Sequence, residues 1–264
     1  MNLIAVQFDI AWEDRAANFA RVRELLARQP PEPGDLVVLP ELFASGFSMN
    51  VATIAAAEPE TTTAFLAELA TTYDALILAG LATVDVDGRG RNHAIAVGPG
   101  CDRPLADYTK LHSFCLGGER AERHHYTAGA DVLHFKWGHL QVAPFICYDL
   151  RFPEIFRRAS ALGAEVMAVI ANWPASRVEH WLTLLRARAI ENQAWVIGVN
   201  RCGRDPQVQY PGRSVIVDPH GVVVADAGHG ERVVRAHVDP GDLLDYRREF
   251  PVLEDMRPDL FRLD

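Results

Sequence analysis

Lysine is almost absent from this sequence. Two lysines, Lys110 and Lys136, stand among 26 basic residues, so the other 24 are arginines. A compact ammonium cannot be exchanged for a planar guanidinium at a tight site, which makes each lysine conspicuous. Cysteine is scarce too. Cys101, Cys115, Cys147 and Cys202 are scattered, and no two form a CxxC pair. That argues against a disulfide framework or a zinc ribbon and leaves a reactive thiol as the more informative reading. No apolar run approaches the roughly 18 residues that a membrane-spanning helix needs. The first ten residues carry no basic leader and meet Asp9 early, so a cytoplasmic address is expected. Basic clusters are also missing, and 35 acidic against 26 basic residues leave a net charge of −9. This balance argues against nucleic acid as the main partner. There is no GxGxxG or GxxxxGKS phosphate cradle, and Gly117-Gly118 reads as a loop pivot.

The chain has 264 residues, 49% hydrophobic and 23% charged, enough to bury a substantial core. Short apolar runs alternate with longer amphipathic ones. Residues 3–8, 36–40, 75–82, 92–98, 131–137 and 140–146 read as strands, and 15–28 and 61–73 as helices. Residues 153–162 read as a helix with proline in its first turn. Then 165–171, 179–193 and 194–200 repeat strand, helix, strand. SVIVD-PHG-VVVAD signals a hairpin, followed by a strand at 232–238 and a short helix after Pro240. Near-continuous apolar strands suit sheets covered on both faces, with the crossover helices outside. No linker or repeat interrupts the pattern. The expectation is one α/β domain over residues 1–264, with about 251–264 as a C-terminal tail.

Three chemically active residues stand at or near strand ends: Glu41 after LVVLP, Lys110 after ADYT, and Cys147 after VAPFI. Functional groups of open α/β sheets gather outside such ends. A thiol, a carboxylate and an ammonium would supply a nucleophile, a proton carrier and an oxyanion stabiliser. Taken singly, each has a plain alternative: a buried core cysteine, a helix-capping glutamate, a solvated lysine.

The flanking residues decide between them. The segment Phe145-Ile146-Cys147-Tyr148-Asp149-Leu150-Arg151-Phe152-Pro153-Glu154 resembles the nucleophile signature of the nitrilase, or carbon–nitrogen hydrolase, superfamily. Leu39-Pro40-Glu41 is similar to its glutamate motif and Tyr108-Thr109-Lys110-Leu111-His112 to its lysine motif, in the family's order. Gly129 after Tyr126, Ala171-Asn172-Trp173-Pro174 and the segment around Arg188 extend the resemblance from Leu3 to about Phe250. It implies a four-layer α–β–β–α sandwich with a Glu41–Lys110–Cys147 triad and neither a metal nor an organic cofactor. It also implies a second glutamate between the lysine and cysteine motifs, for which Glu122 is the better match and Glu119 the alternative.

In that chemistry Glu41 takes the thiol proton and later protonates the departing ammonia. Lys110 and the Tyr148 N–H bind the tetrahedral oxyanion. Lys110 and the N–H groups of the turn after Cys147 are expected to favour the thiolate. KLHSF, HHYTAG, CYDLRFPE and ANWP are most similar to the ω-amidase branch, which cleaves short α-keto dicarboxylic monoamides such as 2-oxoglutaramate and 2-oxosuccinamate. The substrate's carboxylate calls for a cation, for which Arg151 and Arg177 are candidates, unless they serve structural ion pairs. Asn172 and Trp173 are expected on the pocket wall. Other readings are a nitrilase, an N-carbamoyl amidohydrolase, a different aliphatic amidase, or a non-catalytic binding protein on the same fold. His112, His124, His125, His134 and His139 crowd one stretch without the spacing of a metal site. A homodimer or larger homo-oligomer is expected, with Trp181, Trp195 and the segment near Phe250 either at its interface or in the core.

Overall fold

The computed structural model describes residues 1–55, 58–101, 103–115, 121–257 and 259. Among them the chain forms fourteen strands and six α-helices. The first half runs β1 (Asn2–Gln7), α1 (Arg15–Arg28), β2 (Leu36–Val38), α2 (Val51–Ala55), α3 (Glu58–Tyr73), β3 (Leu76–Val84), β4 (Gly90–Val97) and β5 (Ala106–Thr109). The second half begins with β6 (Phe135–Trp137), β7 (Leu140–Ile146), α4 (Pro153–Ala161), β8 (Val166–Ala171), α5 (Val178–Asn192) and β9 (Trp195–Asn200). It continues with β10 (Cys202–Arg204), β11 (Gln209–Pro211), β12 (Val215–Val217), β13 (Val223–Asp226), β14 (Arg232–His237) and α6 (Pro240–Glu249).

Two six-stranded sheets result, ordered β14-β1-β2-β3-β4-β5 and β13-β12-β9-β8-β7-β6, with β10-β11 as a separate hairpin. Each large sheet has three parallel strands at its heart, β1-β2-β3 and β7-β8-β9, flanked by antiparallel ones. Strand alternation builds the layers. Leu3, Ala5, Leu36, Val38, Leu76 and Leu78 join one apolar cluster with Val142, Val166 and Ala168 of the facing sheet. Their neighbours Ile4, Val6, Val37 and Ile77 point the other way, onto Phe19, Val22 and Leu26 of α1 and Phe65, Leu66 and Leu69 of α3. A side-chain period of two sends one set to each face. On the far side of the second sheet, Phe156 of α4 and Trp181, Leu185 and Ala189 of α5 complete the fourth layer. The architecture is the α–β–β–α sandwich of the nitrilase type.

Local chemistry sets the element ends. Asp14 caps α1 by accepting the Ala17 N–H at 3.0 Å, and Pro153 opens α4 where its missing N–H costs nothing. Residues 131–137 form a strand only from Phe135 onward. Asp131 accepts the N–H of Val132 and pairs with Arg158 at 2.7 Å, contacts that compete with a ladder at residue 131. Trp181 is fully buried and donates to the Arg213 carbonyl at 2.7 Å, so it belongs to the core.

Candidate active site

Each reactive group stands on backbone that a tight neighbour holds in place. Glu41 follows β2 in a turn whose next residue, Leu42, has φ +46°. Gly80 of β3 makes that turn possible: a Cβ there would lie 2.6 Å from Glu41 Cα and 2.5 Å from the Leu42 nitrogen. Lys110 follows β5. Its N–H donates to the Asn92 carbonyl at 2.9 Å, and its carbonyl accepts from Gly129 at 2.8 Å. A Cβ on Gly129 would sit 2.3 Å from the Thr109 oxygen, so only glycine fits. Glu122 opens a short 3₁₀ turn and is locked to Phe114 in both directions. Its N–H donates to the Phe114 carbonyl, and its Oε2 accepts the Phe114 N–H at 2.7 Å.

Cys147 follows β7 with φ +48°, a left-handed conformation that a non-glycine residue adopts only when its surroundings impose it. The neighbouring Asp149, fully buried, supplies that constraint. It accepts the Tyr108 hydroxyl at 2.7 Å, the Ile146 N–H at 3.1 Å and the His112 N–H at 2.9 Å. His112 Nδ1 lies 2.9 Å from the same carboxylate, and its ring stacks on Phe152. Tyr148 stands in the first turn after Cys147, where backbone N–H groups lack an intrahelical acceptor.

Glu41, Lys110 and Glu122 are each at most 3% exposed, and they meet. Lys110 Nζ lies 3.0 Å from Glu41 Oε1 and 2.9 Å from Glu122 Oε2. Asn92 Nδ2 bridges the two carboxylates, at 2.8 Å from Glu41 and 3.1 Å from Glu122. The Asn172 N–H donates to Glu41 Oε2 at 2.8 Å, and its side-chain amide donates to the Glu41 carbonyl at 2.8 Å. Buried charges need such partners, because an isolated one would be strongly disfavoured.

Electrostatics separate the groups. Burial pulls the Lys110 ammonium down, but the charges of Glu122 and Glu41 outweigh it and hold Lys110 well above the usual lysine range. Burial raises Glu122 above the usual carboxylate range; Lys110 opposes that and Glu41 adds to it. Burial, then Glu41, push the Cys147 thiol well up, while Lys110 and the Asn172 N–H act against them. The expected bias toward thiolate is therefore reversed in the free protein. Lys110 acts in the anticipated direction, but burial and a carboxylate win.

Cys147 opens onto a cavity of about 980 Å³, lined also by Tyr148, Asn172, Trp173, Arg151 and Arg177. Arg151 lies 5.0 Å over the Trp173 ring, with Nη2 3.1 Å from His180 Nδ1. Arg177 lies 5.5 Å from the Phe114 ring. Among the described residues neither arginine makes an ion pair. Glu119 and the Gly117-Gly118 pivot lie outside the described residues; among those described, Glu122 is the second carboxylate on Lys110. Asn92 and Asp149 were not singled out from the sequence. Asn92 reaches Lys110 only through the pairing of β4 with β5, and a buried asparagine leaves no local signal. Asp149 lies inside the cysteine motif and could have been noticed there.

An α–β–β–α sandwich that buries an ammonium between two carboxylates beside a cysteine-bearing cavity has the nitrilase type of design. The chain belongs to the carbon–nitrogen hydrolase family, whose model matches residues 3–248. It is 38% identical over 257 residues to an omega-amidase of Yersinia enterocolitica, an alignment covering 97% of this chain and 96% of that protein. It is 32% identical to a 2-oxoglutaramate amidase of Bacillus subtilis, over 97% of each chain. A solved CN-hydrolase superfamily protein of Xanthomonas campestris, with an arsenic adduct in its active site, superposes with a TM-score of 0.87. It shares 31% identity, over 97% of each chain.

Proposed function

We propose that this enzyme is an ω-amidase that cleaves the terminal carboxamide of a small α-keto dicarboxylic monoamide, 2-oxoglutaramate or 2-oxosuccinamate, to acid and ammonia. The observation that carries the reading is the buried Glu41–Lys110–Glu122 cluster beside Cys147, on a cavity lined by Arg151 and Arg177, which meet no carboxylate among the described residues. The names of the relatives support the same substrate class.

Cys147 Sγ attacks the amide carbon as Glu41 takes the thiol proton, which suits a thiol that is protonated at rest. The oxyanion is held by Lys110 Nζ and the Tyr148 N–H. On collapse the C–N bond breaks, Glu41 returns the proton to nitrogen, and ammonia leaves a thioester. Glu41 then takes a proton from water, the oxygen attacks the thioester carbon, and the departing sulfur recovers a proton. Glu122 keeps Lys110 charged and aimed. Arg151 and Arg177 receive the substrate carboxylate, and Asn172 and Trp173 shape the wall beside the reacting carbon. The scheme uses no metal or organic cofactor.

The test is ammonia release from 2-oxoglutaramate by native and Cys147→Ala enzyme, with the matching nitrile in parallel. Release from the amide that vanishes in the variant is expected. Release from the nitrile instead would move the enzyme to the nitrilase reading, and an active Cys147→Ala enzyme would end the proposed mechanism.

A further inference from the structure

Arg201 is outside the catalytic cluster, and no step above uses it. It follows β9, is fully buried, and holds two separate stretches of chain. Its Nη2 donates to Asp9 Oδ1 at 2.7 Å and to the Ile10 carbonyl at 3.0 Å. The same nitrogen reaches the Arg204 carbonyl at 3.1 Å, and Nε donates to the Cys202 carbonyl at 3.1 Å. The Tyr210 ring lies 4.5 Å from the guanidinium carbon. Gly46, with φ +78°, leaves the necessary room. A Cβ there would come within 3.3 Å of the Trp12 ring and 3.6 Å of Arg201 Nη1. Among the described residues Nη1 meets no protein acceptor. A fully buried guanidinium paired with one carboxylate is a poor way merely to fill space, since apolar side chains do that without the desolvation cost.

The two stretches are walls of the Cys147 cavity. Trp12 stands on one; Asp205, Gln207, Val208, Gln209 and Tyr210 stand on the other. Asp205 stiffens the second wall from within. Its Oδ1 accepts the N–H groups of Gln207 at 2.7 Å and Val208 at 2.6 Å, and its Oδ2 accepts the Tyr210 hydroxyl at 2.6 Å. Arg201 then ties that preformed loop to the Trp12 stretch. We propose that Arg201 is a positioning residue that fixes the separation of these walls and thereby sets the acyl length the pocket accepts. This rests on the reading of the cavity as the acyl pocket. A lysine would keep the charge and satisfy Asp9, but its single ammonium cannot also reach the Cys202 carbonyl and lie flat on Tyr210.

The experiment measures kcat and KM for native and Arg201→Lys enzyme on linear ω-amides that differ by one methylene between carboxylate and amide. The native enzyme should prefer one length over its neighbours by about 10-fold or more, the scale of one methylene in a fitted pocket. In Arg201→Lys the KM for that length should rise about 10-fold, kcat should stay within about threefold, and the preference should flatten. An unchanged length profile with native KM would overturn the proposal. Alkylation of Cys147, read by mass, reports the fraction of competent enzyme, so that lost protein is not taken for lost fit. Should Arg201→Lys not fold, Asp9→Asn at the half-exposed end of the pair should flatten the profile in the same direction, and no change there is equally fatal. If native enzyme cleaves no keto-acid amide, the substrate reading fails by itself. The same length comparison on the aliphatic amides or nitriles it does cleave still decides the role of Arg201.

Discussion

Cys147 sits in surroundings that resist its ionisation. Burial and Glu41 raise the thiol, and Lys110 only partly offsets them. A raised thiol is protonated at neutral pH and ionises only as pH climbs past the ordinary cysteine value of about 8.5. Alkylation of substrate-free enzyme by iodoacetamide should therefore keep accelerating through the alkaline range. Glu41→Gln removes a negative charge from beside the sulfur, so its alkylation profile should move to lower pH while ammonia release collapses. A native profile already level near neutral pH would show a preformed thiolate and count against this account. Lys110 is wedged between two carboxylates, and a guanidinium is larger and planar. Lys110→Arg should lower single-turnover acylation by about 10²- to 10³-fold, the usual loss for one oxyanion donor; near-native acylation would remove Lys110 from that role. These residues were legible because each carries its own chemistry in a recognisable local string. Asn92 does not, and its importance comes from a register between two strands.

Elements hold these groups through contacts too close for a side chain. Gly80 lets β3 pass under the Glu41 turn, and Gly129 lets its loop close on Lys110. Gly80→Ala would have to displace Glu41 Cα, and misplacement on that scale costs about 10²-fold in rate. Kinetics should show the loss mainly in kcat, with a folded protein by circular dichroism; unchanged kcat would mean the turn has slack. The Tyr108 hydroxyl, donated to buried Asp149, braces the turn that carries Cys147. Tyr108→Phe should cost about 1.5–3 kcal/mol in urea unfolding, the range for a hydrogen bond to a charged group. A variant as stable as native would show that Asp149 finds another donor. Most elements were readable from periodicity. Residues 131–134 were not, because apolar spacing does not reveal that Asp131 turns back on its own backbone and pairs with Arg158.

At the scale of the whole molecule, the last strand closes the first sheet. β14 pairs antiparallel with β1, so both halves of the chain contribute to one sheet. Glu231, just before β14, is clamped by Arg21 of α1 and accepts the Asp9 N–H at 3.1 Å. Burial pushes Glu231 up, but the Arg21 and Asp9 hydrogen bonds outweigh it and hold the carboxyl below the usual glutamate range. A lowered carboxylate contributes stability above its unfolded value of about 4.3 and loses it as pH falls through the folded value. Solvent screens this partly exposed pair, so Glu231→Gln should cost only about 0.5–1 kcal/mol at neutral pH. The gap between native and variant urea midpoints should close on acidification. A gap that does not narrow at all as pH falls below the unfolded value would assign the effect to packing and not to charge.

By itself the sequence determined the class of fold and brought forward Glu41, Lys110 and Cys147 as the candidate reactive groups. Strand and helix periodicity, and the strings around Glu41, Lys110 and Cys147, are local properties written in consecutive residues. Tertiary structure alone decided the rest: that Glu122 reaches Lys110, that Asn92 bridges two carboxylates, and that Arg151 and Arg177 line the cavity. It also decided the direction in which burial and neighbouring charges push the Cys147 thiol. A pKa depends on burial and on charges brought close from distant parts of the chain, and neither exists until the two sheets have packed.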